Sequence, residues 1–271
     1  MSTIPYLRVD QAEGLAKDVY DDIMRTYGCD EPHGIYQLMG HTPDFLAASW
    51  KRSRFLFGTQ TNFSIKEKHI LTLGISATNN CEYCVRIHTS RLQGLGMGAE
   101  DLIELMMVVD SVNGASKFAE GTRAGDNEVI QPKSAEDADA QADAVLQDIK
   151  RAYGNREPDV AFRLMAHLPE YLRANWERVR LCFQEEGRLG LKMKHLLAFC
   201  VAATAGNDYY VKVHGARLKE LGVTDDELAE VLLVVDLTCG YNRYVQGLQA
   251  QQEHKPFGAG AEADKTLRPA R

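Results

Sequence analysis

Two cysteines and a histidine stand at spacings that would bring their side chains together on one helix. Cys81, Cys84 and His88 occupy positions i, i+3 and i+7, and residues at these spacings share one face of an α-helix. The two sulfurs can then reach each other, and His88 can accept a proton or stabilise a thiolate. Such a pair can act as a redox dithiol: one thiolate attacks a peroxide or a disulfide, and the other thiol closes an intramolecular disulfide.

The residues before the motif place the first sulfur at the start of a helix. Asn79 and Asn80 interrupt an apolar helical pattern, and Asn80 as N-cap would put Cys81 in the first turn. Unpaired backbone amides and the helix dipole there favour an anion and lower the pKa of a thiol. The alternative for two cysteines on an amphipathic helix is a pair of small, buried apolar side chains.

The chain contains an internal duplication. Shifting the sequence by 126 residues aligns 16–121 with 142–247 without a gap, and 39 of the 106 aligned pairs are identical. The polar, acidic segment 122–141 between them is predicted to be a linker, and residues 248–271 form a polar tail. The second repeat has no cysteine at either motif position, so the duplication itself singles out the first repeat as the one that carries the dithiol.

The apolar residues of both repeats follow a helical period, and alternation typical of strands is absent. In the first repeat the pattern predicts helices at 44–57, at 81 to about 94 and at 99 to about 118. A further helix opens at Ser64 with a capping box that ends at Glu67. The sequence therefore predicts an all-α fold of two pseudo-symmetric helical halves.

An apolar helix, the pattern Asn-Asn-Cys-x-x-Cys-x-x-x-His at 79–88, Leu-Gln-Gly-Leu-Gly at 92–96 and a further helix resemble the carboxymuconolactone decarboxylase and alkylhydroperoxidase D (AhpD-like) family. The resemblance covers Ser64 to Gly121 strongly and the second repeat more weakly. It implies a helical bundle, a Cys-x-x-Cys redox centre and a homo-oligomer whose subunits complete each other's bundles. For a duplicated chain the expected assembly is a trimer, with a dimer as the alternative.

The resemblance also implies roles for the motif residues. In the alkylhydroperoxidase branch the second cysteine attacks, the first resolves and the histidine belongs to a proton relay, which assigns these roles to Cys84, Cys81 and His88. The family's relay includes a glutamate at the position of His69, so His69 is a candidate to replace it as base or as partner of His88. Glu67 is the nearest acid and is a further candidate for a catalytic role. Its alternative role is the last residue of the Ser64 capping box, because a step of two residues rotates it by about 200° and would point it away from the site.

The motif residues could instead bind a metal ion together with His69. Two histidines and two cysteines form a ligand set suited to zinc or another thiophilic metal, and they are His69, Cys81, Cys84 and His88. Three histidines recur in both repeats, which indicates either inherited packing or a three-histidine site in each half. These pairs are His41 and His167, His69 and His195, and His88 and His214.

The composition of the chain argues against two classes of binding partner, nucleic acids and membranes. The formal charge of −7 argues against nucleic acid, whose phosphates require basic surfaces. No 18-residue apolar stretch and no secretory signal pattern are evident, so we expect a cytoplasmic protein that does not engage membranes. Cys29, Cys182, Cys200 and Cys239 are interpreted as packing or surface thiols. The lysine pairs Lys66/Lys68 and Lys192/Lys194 are interpreted as solvated helix faces.

The sequence therefore predicts an antioxidant oxidoreductase, a thiol-dependent peroxidase that uses a Cys81–Cys84 disulfide and requires no cofactor. Its partners would be a small hydroperoxide and a reducing dithiol or protein reductant. One alternative is a decarboxylase-like or metal-dependent enzyme that acts on a small ring, with His69 and His88 as acid–base groups. A second alternative is a non-catalytic redox sensor or scaffold that forms the Cys81–Cys84 disulfide without turnover.

Overall fold

The computed structural model describes residues 2–59, 61–134, 136–183 and 187–250. Across these residues the secondary structure is helical and contains no strand, which confirms the predicted all-α fold. No helix among them combines the length and the apolar character that crossing a bilayer requires. After a 3-10 helix at Val9–Gln11, the α-helices run in the order α1 (Gly14–Tyr27), α2 (Gly34–Met39), α3 (Pro43–Phe57), α4 (Ile65–Thr78), α5 (Glu82–Gly94), α6 (Ala99–Thr122), α7 (Ala140–Ala152), α8 (Val160–Met165), α9 (Pro169–Phe183), α10 (Leu191–Thr204), α11 (Asp208–Glu220) and α12 (Asp225–Gly247).

The described chain forms two compact units whose boundaries differ from those of the repeats. Of the described residues, one unit takes those in 2–102 and 223–250, and the other takes those in 103–222. The first unit therefore holds α1 to α5 together with α12, and the second holds α7 to α11 and all of α6 except its first turn. The last helix of each repeat is exchanged: α12 of the second repeat packs on α4 and α3 of the first. The segments 16–121 and 142–247 describe the duplicated sequence, whereas each packing unit contains parts of both.

A buried ion pair anchors each exchanged helix within its unit. Lys68 Nζ on α4 lies 3.3 Å from a carboxylate oxygen of Glu230 on α12. In the second unit, Lys194 Nζ lies 2.8 Å from a carboxylate oxygen of Glu104 on α6. The interpretation of these lysines as solvated is wrong, since Lys68 and Lys194 are 0% and 1% exposed. The reason is the helix exchange, which brings an acid from the other repeat over each lysine.

Gln131, in segment 122–141, makes a contact equivalent to that of Pro5 near the N-terminus. The His41 ring lies 2.8 Å from the carbonyl oxygen of Pro5, and the His167 ring lies 2.9 Å from that of Gln131. Both contacts are exposed and fix an extended segment to the start of a helical unit. These contacts give His41 and His167 structural roles, which favours inherited packing over the alternative of a three-histidine site in each half. The predicted tail at 248–271 lies outside the described residues from position 251 onward.

Candidate functional site

The cysteine motif lies at the junction between α4 and α5. Asn80 adopts a left-handed conformation with φ of 54°, which asparagine tolerates better than most residues. The turn brings the Cys81 backbone N–H to the carbonyl oxygen of Ser76 at 2.9 Å. Cys81 itself is the N-cap of α5, and Cys84 is its third residue. The N-cap was predicted at Asn80, one residue before the observed N-cap at Cys81. The difference arises because Asn80 forms the left-handed link between α4 and α5.

Both motif sulfurs are buried thiols. Cys81 is 1% exposed and Cys84 is 5% exposed. A hydrogen bond from the Cys84 thiol lowers the pKa of Cys81, and the same contact together with burial raises the pKa of Cys84. The first proton therefore leaves Cys81, and Cys84 keeps its proton. This order of ionisation differs from the order of roles that the family resemblance implies, in which Cys84 attacks.

The exchanged helix α12 adds an amide to the sulfur pair. Asn242 is fully buried, accepts a hydrogen bond from Asn79 Nδ2 at 3.1 Å and donates one to Ser76 Oγ at 3.3 Å. The amide also contacts the motif cysteines and acts to lower the pKa of both thiols. Asn242 is not predictable from the motif, because it belongs to the other repeat. The repeat alignment nevertheless contains one signal: the position of Asn242 in the second repeat is occupied by Ser116 in the first repeat.

His69 and His88 form a direct hydrogen bond between their Nδ1 atoms, which lie 2.9 Å apart. Burial lowers the pKa of His88 to about 3 and that of His69 well below its ordinary value. Both rings are therefore neutral near pH 7, so an ion pair between His88 and a thiolate is not expected. One Nδ1 donates and the other accepts, which leaves one protonated and one bare Nε2 atom. The pair can accept a proton at one end while it releases another at the opposite end.

A cavity of about 100 Å³ in the first unit brings Cys84, His69 and His88 to one surface. Cys81 is not part of its lining. Four tyrosines, two further basic residues, five apolar and five polar side chains complete the walls: Tyr27, Tyr36, Tyr83, Tyr241, His33, Arg91, Ile35, Phe57, Ile65, Ile87, Leu237, Thr26, Ser53, Thr72, Thr238 and Asn242. The cavity places the Cys84 sulfur and the histidine pair in reach of one small molecule.

Glu67 lies outside this cavity and forms a helix cap. Its backbone N–H donates to Ser64 Oγ at 3.2 Å, and its carboxylate accepts from the Ser64 backbone N–H at 2.8 Å. The structure therefore does not bring the candidate catalytic residue Glu67 to the other site residues. The carboxylate is occupied with the first turn of α4.

The capping role of Glu67 makes a prediction that a catalytic role does not. Glu67→Gln should keep the capping box, because glutamine serves equally at this position, and should leave thiol oxidation within about twofold of wild type. Ser64→Ala should reduce the free energy of unfolding by about 1 kcal/mol. Denaturant unfolding and a hydroperoxide assay on both variants measure these effects. Loss of activity in a fully folded Glu67→Gln variant would return Glu67 to the site.

The side chains proposed as zinc ligands do not converge on one point. The Nδ1 atoms of His69 and His88 face each other rather than the sulfurs. In the part of the chain that the structure describes, no three histidine, cysteine, aspartate or glutamate side chains are arranged to hold a metal ion. The geometry of His69, Cys81, Cys84 and His88 therefore favours a dithiol next to a histidine pair over a shared metal site.

The second unit retains the histidine pair without the sulfurs. His195 Nδ1 and His214 Nδ1 are 3.1 Å apart, and burial lowers the pKa of these rings to about 3 and about 4. Tyr210 occupies the position of Cys84, and its ring stacks on His214 with the centroids 5.9 Å apart. The histidine pair is thus inherited in both units, and the first unit differs by placing two thiols beside it.

Comparison with known proteins agrees with this architecture. The carboxymuconolactone decarboxylase family pattern matches residues 43–126 and 169–253, one match in each repeat and together more than half of the chain. An uncharacterized protein of Methanocaldococcus jannaschii is 33% identical over 63 residues, which are 23% of this chain and 59% of that protein. The chain thus spans less than two thirds of this curated relative.

A solved structure supports the same fold. A protein of Burkholderia xenovorans, provisionally described as a gamma-carboxymuconolactone decarboxylase subunit, superposes with a TM-score of 0.63 at 21% identity. The match covers 86% of this chain and 94% of that one. At this identity the likeness concerns the fold alone, whereas the sequence pattern found twice identifies the family. The chain belongs to the carboxymuconolactone decarboxylase family.

Proposed function

We propose that this protein is a thiol-dependent peroxidase of the alkylhydroperoxidase type, with Cys81 and Cys84 as its redox dithiol. The observation that carries the proposal is the placement of Cys84. Its sulfur lines a largely apolar cavity beside a neutral histidine pair, while Cys81 lies behind it with a lowered pKa. A reacting molecule in the cavity would meet one sulfur, and the second sulfur would be ready to close a disulfide.

The reaction follows from how the pair shares its protons. After Cys81 ionises, the Cys84 proton passes to the Cys81 sulfur, and the resulting Cys84 thiolate attacks the terminal oxygen of a hydroperoxide. The O–O bond breaks, Cys84 becomes a sulfenic acid and the alkoxide takes a proton to leave as an alcohol. Cys81 then loses its proton and attacks the Cys84 sulfur, which releases water and forms the disulfide. One hydroperoxide is reduced by two electrons, and two thiols are oxidised.

His69 and His88 would move the protons in this sequence. A neutral imidazole pair linked through Nδ1 can donate from one Nε2 to the departing alkoxide and take up a proton at the other Nε2. Neither ring has to become a stable imidazolium, which the low pKa values disfavour. In this role His88 is the histidine of the family's relay, and His69 replaces its glutamate.

The cycle needs an external reductant, because the disulfide between Cys81 and Cys84 must be reopened. A small dithiol or a dithiol protein is the chemical class that can do this by thiol–disulfide exchange. The proposal includes a cytoplasmic location, a homo-oligomeric state of three or two chains, and chemistry without a metal or organic cofactor. The second repeat would then contribute α12 to the first unit, which carries the dithiol. Its other helices, α7 to α11, belong to the second unit, which has no cysteine at either motif position.

The direct test is consumption of a neutral organic hydroperoxide with dithiothreitol as reductant. Wild-type protein should turn over, and protein alkylated at Cys81 and Cys84, with the sites verified by mass spectrometry, should lose at least about a hundredfold in rate. The comparison protein is alkylated only at thiols outside the motif. Activity that survives alkylation of both motif cysteines would contradict the proposal.

The second candidate function is acid–base chemistry on a small ring such as a lactone. The specific observation in its favour is the neutral pair of His69 and His88, which presents one donor and one acceptor in the cavity. This candidate requires no sulfur. Conversion of a lactone that survives alkylation of both cysteines and is lost in His69→Gln would support it.

Asn242 provides a prediction specific to the exchanged helix. In the second unit Ser116 stands at its position, and the amide lies on the opposite side, where Asn207 Nδ2 donates to the carbonyl oxygen of Ser116 at 2.9 Å. Asn242→Ser removes a hydrogen bond to the sulfur pair and should raise the pKa of the more acidic thiol by about one unit. The rate of iodoacetamide reaction against pH measures this change. Ser116→Ala is the control and should leave the profile unchanged, and an unchanged profile in folded Asn242→Ser would contradict the role.

A further inference from the structure

The end of α4, immediately before the cysteine motif, is held by side chains of α12. Arg243 Nη2 donates to Asn79 Oδ1 at 3.2 Å, and Gln246 Nε2 donates to the Asn79 carbonyl oxygen at 2.8 Å. Asn79 Nδ2 in turn donates to Oδ1 of Asn242, the amide that contacts both motif thiols. The exchanged helix therefore brings an arginine of the second repeat to the turn that carries Cys81.

The contacts of Arg243 leave its positive charge available to an anion. In the part of the chain that the structure describes, the guanidinium is hydrogen-bonded to two amide oxygens, Asn79 Oδ1 at 3.2 Å and Gln246 Oε1 at 3.0 Å, and forms no ion pair. Besides the hydrogen bonds from Cys84, this charge lowers the pKa of Cys81, as expected for a thiol close to an arginine. The guanidinium thus lies near enough to the Cys81 sulfur to favour its thiolate.

The second unit, which has no cysteine at either motif position, neutralises the equivalent cation. Lys117 stands at the position of Arg243, and its Nζ lies 2.7 Å from a carboxylate oxygen of Glu120. Glu120 corresponds to Gln246, so the first unit has a neutral amide where the second unit has an acid. The asparagine that ends α4 likewise corresponds to Ala205, which has no amide to hold a guanidinium. The unit that carries the thiols therefore differs in both the charge and the side chain that directs it to the motif.

The groups around Cys81 show which charge acts on it. On α5, Cys84 hydrogen-bonds to it, and burial raises the pKa of Tyr83, which stays neutral. The carboxylate of Glu82 is exposed and pairs with an arginine of its own helix. On α12, Cys239 accepts a hydrogen bond at 3.4 Å from the asparagine that ends α4. The arginine of α12 is therefore the group that brings a positive charge to the Cys81 sulfur.

We propose that Arg243 is a positioning residue of the dithiol, which holds the motif turn through Asn79 and stabilises the Cys81 thiolate with its charge. The effect on the thiolate is independent of the molecule that the dithiol reduces. The effect on turnover rests on the peroxidase function proposed above.

The pH profile of alkylation by iodoacetamide, followed at Cys81 and Cys84 by mass spectrometry, tests the charge. On the rising part of the profile, where the rate follows the thiolate fraction, Arg243→Gln should react about threefold more slowly than wild type, as loss of one exposed charge near a thiolate implies. Arg243→Lys keeps the charge and should retain most of the rate. Lys117→Gln removes the equivalent cation of the second unit and is the matched control, with an unchanged profile. A wild-type profile in folded Arg243→Gln, or an equal loss in Arg243→Lys or in Lys117→Gln, would overturn the proposal.

Salt separates the charge of Arg243 from a purely structural role. Raising the ionic strength from about 0.01 M to about 1 M shortens the screening length from about 30 Å to about 3 Å. Because iodoacetamide is neutral, salt should act on the thiolate alone, and the wild-type rate should fall towards that of Arg243→Gln. The rate of Arg243→Gln should change little. An equal salt dependence of the two proteins would show that the charge does not act on Cys81.

Turnover of tert-butyl hydroperoxide with dithiothreitol then links the charge to catalysis. On the rising part of the pH profile, Arg243→Gln should lower kcat/KM by the same factor as the alkylation rate, and Arg243→Lys should restore it. An unchanged kcat/KM together with slower alkylation would overturn the role in turnover. If wild type does not turn over the hydroperoxide, the peroxidase function fails, and the alkylation profile still decides whether Arg243 stabilises the thiolate.

Discussion

Replacing Glu230 with alanine is expected to destabilise the first unit by roughly 3–5 kcal/mol, the cost of leaving a buried charge without its partner. Lys68 is fully buried, and its Nζ also donates a hydrogen bond to the carbonyl oxygen of Leu56 at 2.7 Å. Burial lowers the pKa of Lys68, and Glu230 acts against that shift. Glu230 also accepts hydrogen bonds from Thr61 and from the Asn62 backbone N–H.

Denaturant unfolding followed by Trp50 fluorescence measures this effect, since Trp50 lies in the core of the first unit. A Trp176→Phe background removes the signal of the second unit. Asp236→Ala is the control on the same helix: its pair with Arg52 is exposed, so the expected loss is about 1 kcal/mol or less. Glu104→Ala tests the equivalent pair in the second unit. A loss below about 1 kcal/mol in Glu230→Ala would contradict the view that this pair anchors α12.

Much of the fold was predictable because the relevant signals are local. The capping box at Ser64 and the apolar period predicted helices close to those observed, with α6 extending four residues beyond its predicted end. The Cys-x-x-Cys spacing likewise predicted two adjacent sulfurs at the start of α5, and the structure brings His88 and His69 together beside them.

The parts that the sequence did not predict depend on helix exchange. A repeat alignment pairs residues that are equivalent, not residues that touch, so it cannot show that α12 packs on α4. For this reason Asn242 and Tyr241 were missed as site residues, and Lys68 was placed on the surface. The neutral state of the histidine pair was not predictable for a separate reason. A sequence does not show whether a histidine ring is buried, and burial is what keeps these rings neutral.

Replacing Cys84 with serine should abolish hydroperoxide-dependent thiol oxidation, with a loss of at least about a hundredfold, because serine provides no thiolate and cannot form the disulfide. Cys200→Ser should keep the wild-type rate, since Cys200 is a fully buried residue of α10 in the second unit. The measurement is hydroperoxide consumption with dithiothreitol at a fixed pH. Equal rates for wild type and Cys84→Ser would contradict the mechanism.

The most direct test of the central claim is a single turnover of the reduced protein without any added reductant. Hydroperoxide is added in small excess, free thiols are titrated, and the oxidised peptides are identified by mass spectrometry. The mechanism predicts one alcohol formed and two thiols lost per chain, with Cys81 and Cys84 joined as a disulfide and the other four cysteines still reduced. Retention of both motif thiols after complete exposure to hydroperoxide, or a disulfide that excludes Cys84, would contradict it.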